Sequence, residues 1–169
     1  ALALRLVTEG RNVFLTGDPG TGKSHTLREM SAVVERKHGA HRVLKVAPTG
    51  AAALLIGGQT INSKPGPGIP DGNTSCFFRR MSRKELQHVR AVIIDEISML
   101  DAEFFEYYFA VVRATCAQWV LCGDFHQLAP VGKADHGLDS SASLAMYLLS
   151  GLKEPRHFDT EDACVAFAE

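Results

Sequence analysis

Eight consecutive residues carry the most chemistry in this chain. Gly17-Asp18-Pro19-Gly20-Thr21-Gly22-Lys23-Ser24 follows the pattern G-x-x-x-x-G-K-[ST] without a gap. Each position has a physical use. The glycines allow turn angles that aim several backbone N–H groups at one anion. A helix starting at the end of the motif adds its partial positive charge. The Lys23 ammonium suits the outer phosphates of a nucleoside triphosphate, and the Ser24 hydroxyl suits the Mg²⁺ ion that travels with them. The plainer reading is a glycine-rich turn between a strand and a helix.

A second group of candidates is acidic. Asp95-Glu96 follows the apolar run Ala91-Val92-Ile93-Ile94. Two acids at the end of a buried strand form a Walker B arrangement, in which Asp95 holds the metal and Glu96 orients or deprotonates the attacking water. A glutamate here favours ATP hydrolysis over nucleotide storage. The simpler alternative is an acidic strand end with no role. A further apolar run, Trp119-Val120-Leu121-Cys122, leads into Gly123-Asp124-Phe125-His126-Gln127. Polar residues just past the C-terminal end of a strand lie where open α/β sheets bind ligands. Asp124 and Gln127 are therefore candidates, Gln127 for the γ-phosphate or the attacking water. Taken alone, Gln127 reads rather as a loop residue capping a turn.

These residues need strands and helices to hold them. Strands are predicted at about 12–16, 43–47, 91–94 and 119–122, and a helix over Ser24 to Lys37 with Leu27, Met30 and Val34 on one face. Strands alternating with helical segments predict a parallel, doubly wound α/β sheet, with residues 1–169 as one domain. Phe104, Phe105, Tyr108 and Val112 suggest a core-facing helix after the acidic pair. The stretch from about 63 to 75 is rich in Pro and Gly and reads as an insertion, either a pin or a surface loop. The final segment reads as a helix cut short, and with no Met at position 1 the chain is expected to be a fragment.

Composition narrows the class. With 169 residues and 46% apolar content, there is enough material for one α/β core. The net charge of −1 gives no global basic field for nucleic acid. Phe77-Phe78-Arg79-Arg80-Met81-Ser82-Arg83-Lys84 is a local basic patch, read as a solvated loop or helix start. The four cysteines show no metal-type spacing and are expected to be reduced, in an intracellular protein. The pairs Cys122 with His126 and His38 with His41 read as packing or surface residues rather than metal ligands. No apolar run reaches the roughly 18 residues of a membrane span, so no membrane partner is expected.

A third motif narrows the reading further. Ala47-Pro48-Thr49-Gly50-Ala51-Ala52-Ala53 continues to Gly57-Gly58-Gln59-Thr60-Ile61-Asn62-Ser63. Together with Asp95-Glu96-Ile97-Ser98-Met99-Leu100 and Gly123 to Val131, it resembles the petite-integration-frequency (PIF) family of superfamily-one, 5′-to-3′ DNA helicases. The resemblance covers nearly the whole chain, with four motifs in the family's order. It implies a P-loop NTPase of RecA-like, three-layer form, the first of two motor lobes (lobe 1A), with the second lobe outside this chain and unwinding not expected of this lobe alone. It implies ATP with Mg²⁺, held by Gly17, Asp18, Pro19, Gly20, Thr21, Gly22, Lys23, Ser24, Asp95 and Asp124. Thr49, Gly50, Thr60, Asn62 and Ser63 would touch single-stranded DNA. Their hydroxyls suit phosphate oxygens and their glycines allow close backbone approach; the same segment also reads as a strand–turn–helix with small packing residues. The Pro/Gly stretch falls where relatives carry a strand-separating wedge. Arg156 in Pro155-Arg156-His157 takes the place of an arginine finger.

The resemblance also implies single-stranded and forked duplex DNA as partners. The implied processes are DNA repair, recombination and telomere maintenance, in a nucleus or mitochondrion if the source is eukaryotic. The sequence departs from the pattern at Asn62, at Ala129 and around Arg156, and lacks the family's F-G-G after the Walker B helix. A RecD-like helicase, an AAA-type remodeller, and a nucleic-acid-binding module with a decayed ATP site are the alternatives. Intact Lys23, Ser24, Asp95 and Glu96 argue against the last.

Overall fold

The structure, a computed structural model, describes residues 2–63, 86–100, 105, 108 and 117–124, and the backbone of 163–167. The elements are α1 (Leu2–Glu9), β1 (Val13–Gly17), α2 (Lys23–His38), β2 (Val43–Ala47), α3 (Gly50–Leu55), β3 (Gln59–Thr60), β4 (Ala91–Ile94), β5 (Gln118–Gly123) and β6 (Ala163–Phe167). The strands form one sheet in the order β3-β2-β4-β5-β1-β6, and every neighbouring pair is parallel. Four of the strands match the predicted runs to within one residue. The chain end differs from expectation: residues 163–167 pair with β1 as a strand instead of continuing a helix. The alternation Ala-Cys-Val-Ala-Phe there is apolar on both faces, which suits a strand as well as a helix.

The strands are buried on both faces, so their side chains divide by the two-residue period. Phe14, Leu44, Val46, Val92, Ile94, Trp119 and Leu121 join one core with Leu86, Val89, Phe105 and Tyr108. Val13, Leu15, Ala91, Ile93, Val120 and Cys122 join the other, which α1, α2 and α3 cover with Ala3, Val7, Leu27, Met30, Val34, Ala52, Ala53 and Ile56. Phe105 and Tyr108 are helical and face the core, as their spacing suggested. Phe105 meets Trp119 edge to face, with centroids 6.4 Å apart. The Pro/Gly-rich stretch beyond Ser63, the basic segment 77–84, Phe104, Val112, Gln127 and Arg156 lie outside the described residues.

Two joints set the level of the strands. At the start of β5 the buried Gln118 amide donates to the carbonyls of Val7 (2.9 Å) and Arg11 (2.8 Å). Next to it, the Trp119 N–H donates to the Asn12 side chain (2.8 Å). These bonds satisfy the C-terminal end of α1 and lock the entry to β1. The second joint is Gly57-Gly58. Gly57, at φ +62°, and Gly58 send their N–H groups back to Leu54 (3.1 Å) and Ala53 (2.8 Å), the two bonds of a Schellman motif closing α3. A Cβ on Gly58 would fall on the Lys45 carbonyl oxygen and within 2.8 Å of its carbon. Each glycine thus has its own reason: a left-handed turn, then close approach of the chain to β2. Gly58→Ala is expected to destabilise the fold by about 1–3 kcal/mol, the usual cost of overpacking a tight contact. Urea unfolding checks this, and Ala51→Gly on the exposed side of α3 serves as the propensity control.

Candidate active site

The site forms where β1, β4 and β5 end, and the strand order explains why. β5 lies between β4 and β1, with Leu121 level with Ile94 and Gly123 level with Thr16. One step further along the same register, Cys122 comes beside Asp95 and Asp124 beside Gly17. Three separate stretches of sequence therefore meet at one edge of the sheet, at the carboxyl ends of the strands.

The loop from Gly17 to Gly22 enters α2 through two glycines in the left-handed region, Gly20 at φ +80° and Gly22 at φ +86°. A Cβ on either would meet nothing within 4 Å, so the backbone angle, rather than crowding, is what calls for glycine. The Thr21 hydroxyl donates to the Asp18 carbonyl (2.8 Å) and tightens the turn. Ser24 stands exposed in the first turn of α2. The Lys23 ammonium curls back over the loop and donates to the carbonyls of Gly17 (2.7 Å) and Asp18 (2.8 Å). It also lies 3.4 Å from Asp124 Oδ2.

Asp95 is buried at the end of β4, and its Oδ1 accepts the Glu96 N–H (2.9 Å). The Cys122 thiol also donates to its carboxylate. Burial pushes the Asp95 pKa up, against the lowering effect of these two hydrogen bonds and of Lys23. Glu96 is half-buried and is also raised, first by desolvation, then by the charges of Asp95 and Asp124, with Lys23 opposing. Glu96 is the one non-glycine among the described residues in the left-handed region, at φ +54°. Such a conformation costs on the order of 1 kcal/mol or more and persists where the surroundings impose it. The Cys122 thiol, driven well above its ordinary pKa by burial and by these acids, stays a neutral donor. The sequence marks Cys122 as a reduced thiol in a packing or surface role. Its role against Asp95 comes from a cross-strand register that no local pattern encodes.

The third motif sits beside this site on β2, α3 and β3. Thr49 is the N-cap of α3, its Oγ1 accepting the Ala52 N–H (3.2 Å). Thr60 and Ser63 share a hydroxyl–hydroxyl bond of 2.6 Å. Gly50 is exposed, while the buried Asn62 Oδ1 has no hydrogen-bond partner among the described residues. The structure brings Thr60, Asn62 and Ser63 together in one turn and places Thr49 at the head of the neighbouring helix.

The electrostatics carry a consequence for stability. Burial keeps the proton on Asp95 to a higher pH than in the unfolded chain. The folded state therefore loses stability as pH rises from the ordinary value through the raised pKa, and ionising Asp95 opposes folding. Asp95→Asn removes that charge while keeping an acceptor for the Glu96 N–H. In thermal melts of nucleotide-free protein at pH 7, it is expected to be more stable than the parent by about 0.5–2 kcal/mol. The difference should close as pH falls toward 3.8, the ordinary value for the group.

The chain has relatives among known proteins. The chain is 41% identical over 143 residues to the ATP-dependent DNA helicase PIF1 of Saccharomyces cerevisiae (strain YJM789), covering 77% of this chain and 17% of that protein. The crystal structure of the Pif1 helicase from Candida albicans superposes with a TM-score of 0.78 at 27% identity, covering 99% of this chain and 39% of that one. Bacteroides Pif1 bound to single-stranded DNA superposes at 0.59 with 25% identity, covering 98% and 40%. The chain thus spans less than a fifth of the yeast relative and about two fifths of the solved chains. The RecA-like α/β fold expected from the motifs is the one these structures share. With the PIF1-like helicase family model matching residues 3–146, from α1 through both Walker motifs to beyond β5, the chain belongs to the PIF1-like helicase family.

Proposed function

We propose that the protein carrying this chain is an ATP-dependent DNA helicase, and that this chain is its first motor lobe. It would couple ATP hydrolysis to 5′-to-3′ movement along single-stranded DNA and to unwinding of duplex at a fork. One observation carries the reading: Lys23, Asp95, Glu96 and Asp124 converge at the carboxyl edge of the sheet in a member of this family. The loop's backbone and Lys23 would hold the phosphates. Ser24 and Asp95 offer hard oxygen donors, a set that suits Mg²⁺. When bound with the nucleotide, that ion would neutralise charge on the phosphates. Glu96 would accept a proton from the attacking water, and its raised pKa brings it closer to a base able to work near neutral pH. Gln127 and Arg156 keep the parts of water positioning and arginine finger that the family resemblance gives them.

Thr49, Gly50, Thr60, Asn62 and Ser63 would form part of the DNA track. The buried Asn62 carbonyl oxygen, without a partner among the described residues, offers an acceptor, and the Thr60–Ser63 pair can exchange its mutual bond for phosphate oxygens. The stretch after Ser63 remains the candidate wedge. DNA repair, recombination and telomere maintenance are the processes we propose for such an activity. The proposed location is intracellular, in a nucleus or mitochondrion if the source is eukaryotic. No helix among the described residues is long and apolar enough to cross a membrane.

Two measurements test the reading on the full-length protein. Strand displacement should proceed on duplexes with a 5′ single-stranded tail and not on those with a 3′ tail; the opposite polarity refutes the direction. Glu96→Gln keeps the side chain's shape and removes the base. It should bind ATP with Mg²⁺ like the parent and turn it over about 10²–10⁴-fold more slowly. Normal turnover would place the base elsewhere.

A further inference from the structure

Asp124 stands one residue past β5 and is 1% exposed. A carboxylate so placed beside a site for triphosphate is, taken alone, unfavourable to ligand binding. It adds a third carboxylate beside Asp95 and Glu96, and Glu96 feels Asp95 and Asp124 together with the Lys23 ammonium. Its position is nevertheless closely held. β5 is bonded to β1 and β4 on its two sides. At Gly123 the strand presses on the turn that carries Glu96: a Cβ there would come within 2.7 Å of the Ile97 side chain and 3.1 Å of the Ser98 nitrogen. Asp124 therefore has little freedom to withdraw from its neighbours.

What it faces is Lys23. The Nζ–Oδ2 distance is 3.4 Å, with the lysine side chain 13% exposed and the aspartate 2%. The other two bonds of the ammonium go to carbonyls of the loop, which are neutral and belong to the same segment as the lysine. Asp124 is the charged partner from a different strand, and it restrains where the ammonium can go.

We propose that Asp124 is a positioning residue that acts through Lys23. It fixes the ammonium for the transition state at the expense of ground-state affinity, and it does not itself bind nucleotide. The inference rests on the ATPase reading above. It refines the sequence expectation that Asp124 is simply one of the nucleotide-binding residues. It also ties the loop to the end of β5, so a shift of the chain after Asp124 would be felt at Lys23.

The test is a double-mutant cycle in the full-length protein, using Asp124→Asn and Lys23→Ala. The readouts are the affinity of ATP with Mg²⁺, by fluorescence titration of a labelled analogue, and kcat for hydrolysis. Asp124→Asn alone should leave affinity within about threefold of the parent, or tighten it, while kcat falls at least tenfold. In the Lys23→Ala background Asp124 has no ammonium to position, so Asp124→Asn should change the residual kcat less than threefold. Retained binding shows that the variants are folded. Equal effects of Asp124→Asn in the two backgrounds would overturn the proposal, as would a kcat within threefold of the parent. A tenfold loss of affinity in Asp124→Asn would also overturn it, by making Asp124 a binding residue. Failure of the ATPase reading looks different: Lys23→Ala itself would leave turnover unchanged.

Discussion

The position of β5 between β1 and β4 is the constraint on which the rest depends. Parallel pairing on both sides leaves its C-terminal end no choice of level, so whatever follows Cys122 must arrive between the phosphate-type loop and the acidic pair. That register sets the Cys122 thiol against Asp95 and the Asp124 carboxylate against Lys23. It also explains why the far end of the same strand is so firmly held. The Gln118 side chain there donates to carbonyls in α1 and just before β1, and the Asn12 side chain accepts from the β5 backbone. A strand anchored at one end and packed by Gly123 against a neighbouring turn at the other transmits its position with little slack.

The carboxyl edge concentrates features that work against stability. Glu96 holds a left-handed backbone, and Asp95 is buried as an acid whose ionisation burial opposes. Lys23 must answer three carboxylates at once. The two apolar cores on either face of the sheet offset these costs. Their strands are fully buried over β4 and β5, and apolar burial contributes about 25 cal/mol per Å². Features of this kind persist where the surrounding structure imposes them.

The third motif is held by its own small and capping residues. Thr49 spends its hydroxyl on the N-terminus of α3, and the two glycines at 57 and 58 close that helix and fit it against β2. The small residues Ala52 and Ala53 pack into the core. The sequence admits both a packing and a DNA-contact reading of this segment. The geometry supports packing for Thr49, Gly57 and Gly58. It leaves Asn62, with its unpartnered buried oxygen, as a group whose burial nothing else in the described structure repays.

Much of this protein was legible in one dimension. The strands at the two Walker motifs, the helix after the loop, and the parallel α/β class follow from short apolar runs and helical periodicity, because a strand buried on both faces and an amphipathic helix each leave a local signature. The chemistry proposed for Lys23, Ser24, Asp95 and Glu96 rests on residue type and spacing. Other elements had no such signature. α1 is short, β3 spans two residues, and the apolar alternation of 163–167 suits a strand as well as the helix expected there. Strand order, and with it the meetings of Cys122 with Asp95 and of Asp124 with Lys23, belongs to the tertiary structure alone. Those contacts join residues 27 and 101 positions apart, and only the pairing of β5 with both neighbours brings them together.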